Sequence, residues 1–279
     1  MTIATEFIAL LERCASVAPL PRVRALHLPA VAAQATKDGE FCALELDDGS
    51  FGLTYLLLDD TFQRLLAAAP GLGLAGADPL VLARRYAESG PLARTLGFAA
   101  VNAISRCFFA RVGYEPDWTT DSVAQLDPLP ADHIGMIGLF PPLVARIVAS
   151  GARLTVAELR ADLAGEREGY RVTLDPADLA GCNKVISTST LLLNDTLEPM
   201  LAACRSAGFF SLIGPGAGCL PDPLFARGIS LIGGTWITDA AGFRDAMATG
   251  ANWGRCARKY CIRASGYVGF EALLARLRT

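Results

Sequence analysis

Four short segments of the sequence carry residues that could bind a ligand, and each follows an apolar run typical of a strand. The first contains Gly135 and Gly138, just before Pro141. Glycine lets the backbone approach a ligand closely, and the amide groups that open the following helix could bind it. The segment is only part of the dinucleotide-binding fingerprint. A tight turn between strand and helix is the alternative interpretation of Gly138.

The second segment ends in Glu158, twenty residues after Gly138. Nucleotide-binding Rossmann domains place an acidic residue at this distance to hold the ribose hydroxyls. A carboxylate that is simply solvated at a strand end is the alternative. We therefore expect Glu158 to bind either a ligand or only water.

The third segment is rich in side-chain oxygen. Residues 187–190 end a strand with four hydroxyl groups, and an amide and a carboxylate precede a helix predicted over 196–207. Hydroxyl groups beside the positive end of a helix can hold polar ligand atoms. Helix capping explains only part of this pattern. The predicted ligand-binding residues of the segment are Thr188, Thr190, Asn194 and Asp195.

The fourth segment is rich in glycine and proline, and it contains Gly214, Pro215 and Gly216. Its amide groups could form a concave anion site. Cys219 follows closely, and neighbouring amides would lower the pKa of its thiol and favour the thiolate. We expect Cys219 and Glu158 to be the ligands of any metal ion, whereas a rigid connection is the alternative for this segment.

A basic stretch near the C-terminus contains Cys256 and Cys261 among arginine and lysine residues. It could cover an anionic ligand, or bind a soft metal through two thiolates if the chain turns there or a partner chain contributes. The alternative is a solvated face with two packed cysteines.

The elements that must position these segments differ between the two halves of the chain. Residues 1–120 predict a helix, a hairpin around Asp48 and Gly49, and further helices, an α+β pattern. A polar, proline-containing junction follows. Residues 131–279 alternate strands with helices, which predicts an α/β fold with a parallel sheet. Ligands of such sheets bind beyond the carboxyl ends of the strands, where all four segments should meet.

Composition excludes several classes of protein. The formal net charge of the 279-residue chain is −3, which argues against general binding of nucleic acid. The first residues predict an amphipathic helix and no export signal, and no apolar run is long enough to span a membrane. We therefore expect a cytoplasmic protein whose eight cysteines are reduced. Two histidines cannot build a three-histidine metal site.

The order of these motifs resembles the putative heavy-metal chelation family. The resemblance rests on the segment that begins at His133, on Glu158, on residues 186–198, and on the Gly-Pro-Gly segment with the strand after it. It implies a small domain like the N-terminal domain of enolase, followed by a Rossmann-like domain. The helix around Asn102 also resembles the family, which adds Asn102 to the expected ligand-binding residues. Gly216 and Leu139 stand where the family usually has polar residues.

Because these polar and glycine positions map to one sheet edge, we expect a protein that binds a small molecule or a metal complex between its two domains. The resemblance implies heavy-metal chelation. The cofactor would be a transition-metal ion or a metal complex. The alternative is a Rossmann-class enzyme that acts on a nucleotide, S-adenosylmethionine or an amino-acid-derived substrate. We expect a homo-oligomer, with neither nucleic acid nor membrane as a partner.

Overall fold

The computed structural model describes residues 2–31, 37–118 and 125–277. The helices of this part are α1 (Ile3–Val17), α2 (Thr61–Ala68), α3 (Pro79–Arg84), α4 (Pro91–Arg111), α5 (Pro141–Ala149), α6 (Leu197–Ala203), α7 (Asp222–Phe225), α8 (Ala240–Thr249) and α9 (Phe270–Leu277). The strands are β1 (Val23–His27), β2 (Phe41–Leu46), β3 (Phe51–Tyr55), β4 (His133–Ile137), β5 (Arg153–Ala157), β6 (Gly165–Arg167), β7 (Tyr170–Thr173), β8 (Lys184–Thr188), β9 (Phe209–Ile213), β10 (Leu231–Ile237) and β11 (Ala257–Arg263).

The first half of the chain folds into a three-stranded antiparallel sheet with helices against it. The predicted hairpin is β2 and β3, and its turn is held by Asp48, whose Oδ1 accepts the Ser50 N–H at 3.0 Å. The sequence did not predict β1, which adds to the free side of β2. Helix α4 packs on β3 and is buried along most of its length.

The second half forms an eight-stranded sheet in the order β11-β10-β9-β8-β4-β5-β7-β6. The strands from β10 to β7 run parallel, and antiparallel β11 and β6 lie at the two edges. The predicted α/β fold with a parallel sheet is therefore confirmed. Renumbered along the chain, the parallel strands follow the order 3-2-1-4-5-6 of doubly wound sheets.

The strand order reverses between β4 and β8, the first and fourth parallel strands. In open α/β sheets, ligands bind at the carboxyl ends of the strands beside such a reversal. We call this place, beyond the carboxyl ends of β4 and β8, the crevice. Gly138 follows β4 directly, and Thr188 ends β8. The fold therefore brings the first and third predicted segments to the same point.

The two halves share one buried core. A single hydrophobic cluster joins Phe7, Tyr86 and Phe98 of the first half to Leu191 and Leu220 of the second. The boundaries of 1–120 and 131–279 for two domains stay a prediction, and part of the junction lies outside the described residues.

Two elements differ from the prediction. Helix α6 begins at Leu197 and ends at Ala203, shorter than the predicted 196–207, and neither Asn194 nor Asp195 is its N-cap residue. The basic stretch forms the edge strand β11, which pairs with β10. Among the described residues, no helix is both long and apolar enough to cross a lipid bilayer.

Candidate functional site

Gly138 and Thr188 meet at the switch point. The φ angle of Gly138 is 81°, which favours glycine, and a Cβ there would lie 3.2 Å from Thr188 Cγ2. A side chain at position 138 would be strained by the positive φ and would crowd Thr188. Gly138 and Thr188 are both half-buried, so a ligand could reach them.

The glycine-rich segment after β9 closes on the same strand end. Gly214 has a φ of 142°, and a Cβ there would lie 2.6 Å from Ser189 Oγ. A Cβ at Gly216 would lie 3.5 Å from the same oxygen. Ser189 therefore stands between the third and fourth segments. Sequence reasoning counted its hydroxyl but did not single it out, because only the close approach of Gly214 marks it.

The hydroxyl groups of the third segment form a small network. The Oγ1 atoms of Thr188 and Thr190 lie 2.9 Å apart, and the Thr190 N–H donates to Thr188 Oγ1 at 3.2 Å. Both side chains are half-buried. Each hydroxyl oxygen has further acceptor capacity, so the network offers oxygen atoms to a ligand at the crevice.

Glu158 turns back onto the first segment. Its Oε2 accepts the Leu139 N–H at 3.0 Å, and its Oε1 accepts the Leu159 N–H at 2.8 Å. Helix α5 then opens with Pro141 and Pro142, which have no N–H to donate. A phosphate group at this helix end would meet a carboxylate and few free amides. This geometry does not favour the nucleotide-binding alternative.

Tyr55 at the end of β3 lies near enough to Glu158 for the carboxylate to act on its phenol. Burial raises the pKa of its phenol, and the nearby carboxylates of Glu40 and Glu158 raise it further. The phenol is therefore protonated at neutral pH. Sequence reasoning missed Tyr55, because only the packing of the two sheets brings it near Glu158.

Asn102 ties α4 to the crevice without facing it. Its Nδ2 donates to the carbonyl oxygens of Leu53 at 2.8 Å and Gly216 at 2.9 Å, and the residue is 1% exposed. Its Oδ1 is buried and has no hydrogen-bond partner among the described residues. The structure therefore places Asn102 behind the Gly214–Gly216 segment, where it positions backbone.

Asn194 and Asp195 make local contacts after the third segment. Asn194 Oδ1 accepts hydrogen bonds from the Thr196 N–H at 3.3 Å and the Thr196 hydroxyl at 2.5 Å. Asp195 is exposed and pairs with Arg94 of α4 at 2.5 Å. Half-buried Pro215 lies between the two glycines of the fourth segment.

The expected thiolate at Cys219 is wrong. The residue is 1% exposed, and burial raises the pKa of its thiol to about 12 instead of lowering it. Desolvation penalises the charged form more than neighbouring amides stabilise it. A protonated, enclosed thiol is a poor metal ligand.

The other thiols resemble Cys219. All eight cysteines lie in the described ranges and none forms a disulfide bond. Burial raises the thiol pKa of six more of them: Cys14, Cys42, Cys107, Cys182, Cys204 and Cys256. Over residues 2–31, 37–118 and 125–277, no three His, Cys, Asp or Glu side chains are grouped to hold a metal ion.

Cys256 and Cys261 cannot share a metal within this chain. Strand β11 is extended between them, so their Cα atoms lie roughly 15 Å apart at about 3.3 Å per residue. Cys261 is also buried in the sheet. The two-thiolate interpretation of the basic stretch therefore fails for a single chain.

Comparison with known proteins shows the family. One family described as putative heavy-metal chelation matches residues 121–265, and a second with the same description matches residues 39–105. A crystal structure of a protein of unknown function from the DUF364 family of Pyrococcus horikoshii is 17% identical, with a TM-score of 0.66 over 92% of this chain and 99% of that chain.

A second solved structure, a DUF364-family protein of unknown function from Desulfitobacterium hafniense, is 19% identical. Its TM-score is 0.66 over 91% of this chain and 98% of that chain. No curated protein matches the chain. The likeness to both structures extends over nearly the whole length and shows a shared fold. The chain belongs to the putative heavy-metal chelation family.

Proposed function

We propose that the protein binds a small polar molecule or a preformed metal complex at the crevice between β4 and β8. The observation that carries this proposal is the convergence of Gly138, Thr188, Ser189 and Gly214 on one point of the sheet edge. Close backbone approach and clustered hydroxyls are features of a site that surrounds a small polar ligand.

The donor set favours a complete complex over a bare metal ion. Soft transition metals bind thiolate or imidazole, but the enclosed thiols are protonated and no three-ligand group occurs in the described part of the chain. Hydroxyls and amides can instead hydrogen-bond the organic part of a complex whose metal is already coordinated. On this proposal the metal is cargo held by another molecule, and Cys219 is not its ligand.

The charged groups near the crevice favour one sign of ligand charge over the other. Glu158 and Glu40 lie close enough to Tyr55 for their carboxylates to raise its pKa, whereas the amides of the α5 turn are already occupied or absent. A neutral or cationic ligand meets less repulsion there than an anion. Complexes of amino acids with divalent metal ions are neutral or cationic.

Isothermal titration with a nickel–histidine complex tests the proposal, with free Ni²⁺ and free histidine as separate titrants. We expect stoichiometric binding of the complex and weaker binding of either component. Thr190→Val should weaken binding about tenfold, because it removes a hydroxyl contact worth about 1–1.5 kcal/mol without changing shape. Thr249→Val is the matched control, since that hydroxyl bonds its own helix at Asp245 O.

Binding of free Ni²⁺ alone, with equal affinity in the wild type and in Thr190→Val, would contradict the proposal. So would an absence of heat with every titrant. Circular dichroism of each variant verifies that the fold is retained.

A further inference from the structure

A groove along the edge strand β11 has a different chemistry from the crevice. It has a volume of about 350 Å³ and is lined by Trp118, Gly254, Ala257, Arg258 and Lys259. This volume is at the lower end of the range for small-molecule sites. The groove lies along β11, whereas the crevice lies between β4 and β8.

Arg258 is held in place by an aromatic ring. Its guanidinium lies over the Trp118 ring, 4.5 Å from the centroid. A stacked guanidinium keeps its N–H groups free in the ring-parallel plane, where they can pair with a carboxylate or phosphate in bidentate fashion. Trp118 is itself fixed, because its Nε1 donates to Glu115 Oε2 at 2.9 Å.

A second stacked arginine lies behind the groove. Trp118 meets Trp236 of β10 edge-to-face at 5.2 Å, and Arg106 of α4 lies over the Trp236 ring at 4.2 Å. Burial lowers the pKa of Arg106 from its usual value, yet this group remains cationic at neutral pH. Its charge adds to the positive field at the groove.

The described lining of the groove carries two exposed cations, Arg258 and Lys259, and no carboxylate. Arg106, Arg258 and Lys259 form no ion pair with any described residue. Glu115 accepts the Trp118 indole N–H beside the groove, and the carboxylates of Glu115 and Asp48 act on Arg106. The described lining of the groove is therefore positive, in a chain of net charge −3.

We infer that this groove is a second binding site, which takes a small organic anion. Its phosphate or carboxylate would pair with Arg258 and Lys259, and its flat part would lie against the exposed part of Trp118. The small volume excludes a folded domain as the occupant. A nucleoside monophosphate has both required parts and serves as the probe.

Tryptophan fluorescence reports on this site, since Trp118 and Trp236 are two of only three tryptophans. We expect adenosine monophosphate to quench the emission saturably at constant ionic strength, and inorganic phosphate to compete with it. Arg258→Gln should weaken binding at least fivefold. The matched control is Arg263→Gln, an exposed arginine on the same strand that does not line the groove.

Equal quenching by uncharged adenosine, or equal binding by Arg258→Gln and Arg263→Gln, would overturn the inference. An absence of saturable quenching would overturn it too. Thr190→Val should leave the quenching unchanged, so failure here is distinguishable from failure of the crevice proposal.

Discussion

At the scale of single residues, burial keeps the cysteine thiols protonated. Protonated thiols are poor ligands for a metal ion. Cys219 sits beside glycine-rich backbone, as a metal-binding cysteine could, yet it is enclosed and its pKa is about 12. Sequence alone could not distinguish an exposed thiolate from a buried thiol, because the residues next to it in sequence would be the same in both cases. Burial is a property of the whole fold.

Thiol labelling tests this interpretation of the cysteines. In the native protein near pH 8, we expect an aromatic disulfide reagent to modify about one thiol, Cys256, the one cysteine that is not fully buried. Labelling of Cys256 should accelerate as pH rises toward its raised pKa. Cys256→Ser should remove the fast phase, and Cys219→Ser should not.

Fast labelling of Cys219 in the folded protein would contradict the buried thiol. Complete labelling in denaturant provides the count of all eight cysteines.

At the scale of elements, helix α4 couples the small sheet to the crevice. Asn102 donates to the Leu53 carbonyl on β3 and to the Gly216 carbonyl after β9, so one side chain joins three elements. The resemblance to the family pointed to Asn102, but its role as a tie behind the site depends on contacts between residues far apart in sequence.

Asn102→Ala should therefore destabilise the protein. The change removes the donor from two buried carbonyls, at about 1–3 kcal/mol each, so we expect a loss of about 2–6 kcal/mol in the free energy of unfolding. Urea denaturation measures it, and Asn194→Ala is the control at a half-buried, locally bonded amide. Equal free energies of unfolding for the two variants would contradict this structural role of Asn102.

The elements themselves were predictable where local signals agree with packing. Asp48 and Gly49 predicted the hairpin, and the Asp48 carboxylate holds its turn by accepting the Ser50 N–H. Strand β11 was missed because Arg258 and Lys259 resemble a solvated segment. A strand at a sheet edge can carry such residues, since one side of it meets solvent.

At the scale of the whole molecule, a buried carboxylate joins the small sheet to α8. Glu45 of β2 is fully buried, accepts two hydrogen bonds from Arg244 at 3.0 and 2.5 Å, and contacts His27 Nε2 at 2.8 Å. Burial alone would raise the pKa of Glu45, but the Arg244 and His27 contacts outweigh it and hold the pKa below its usual value.

Stability should therefore depend on pH through Glu45. A carboxyl with a lowered folded-state pKa stabilises above its unfolded pKa, and this contribution disappears as pH falls through the folded value. Glu45→Gln should cost about 3 kcal/mol near pH 7 and progressively less in acid. Urea denaturation near pH 7 and in acid measures the difference in the free energy of unfolding between the wild type and the variant. Glu166→Gln, at an exposed surface pair, is the control.

A cost of Glu45→Gln that stays constant from neutral to acid pH would contradict this assignment. The expected homo-oligomer stays a prediction, and gel filtration of the wild type measures it directly.

The central claim is that the crevice holds a complete small molecule or metal complex through oxygen and backbone contacts. Native mass spectrometry of protein purified without chelators tests it most directly, with Thr190→Val beside the wild type. We predict a bound mass that includes an organic component in the wild type and is reduced in Thr190→Val. A bound mass equal to a bare metal ion, present equally in both proteins, would contradict the claim.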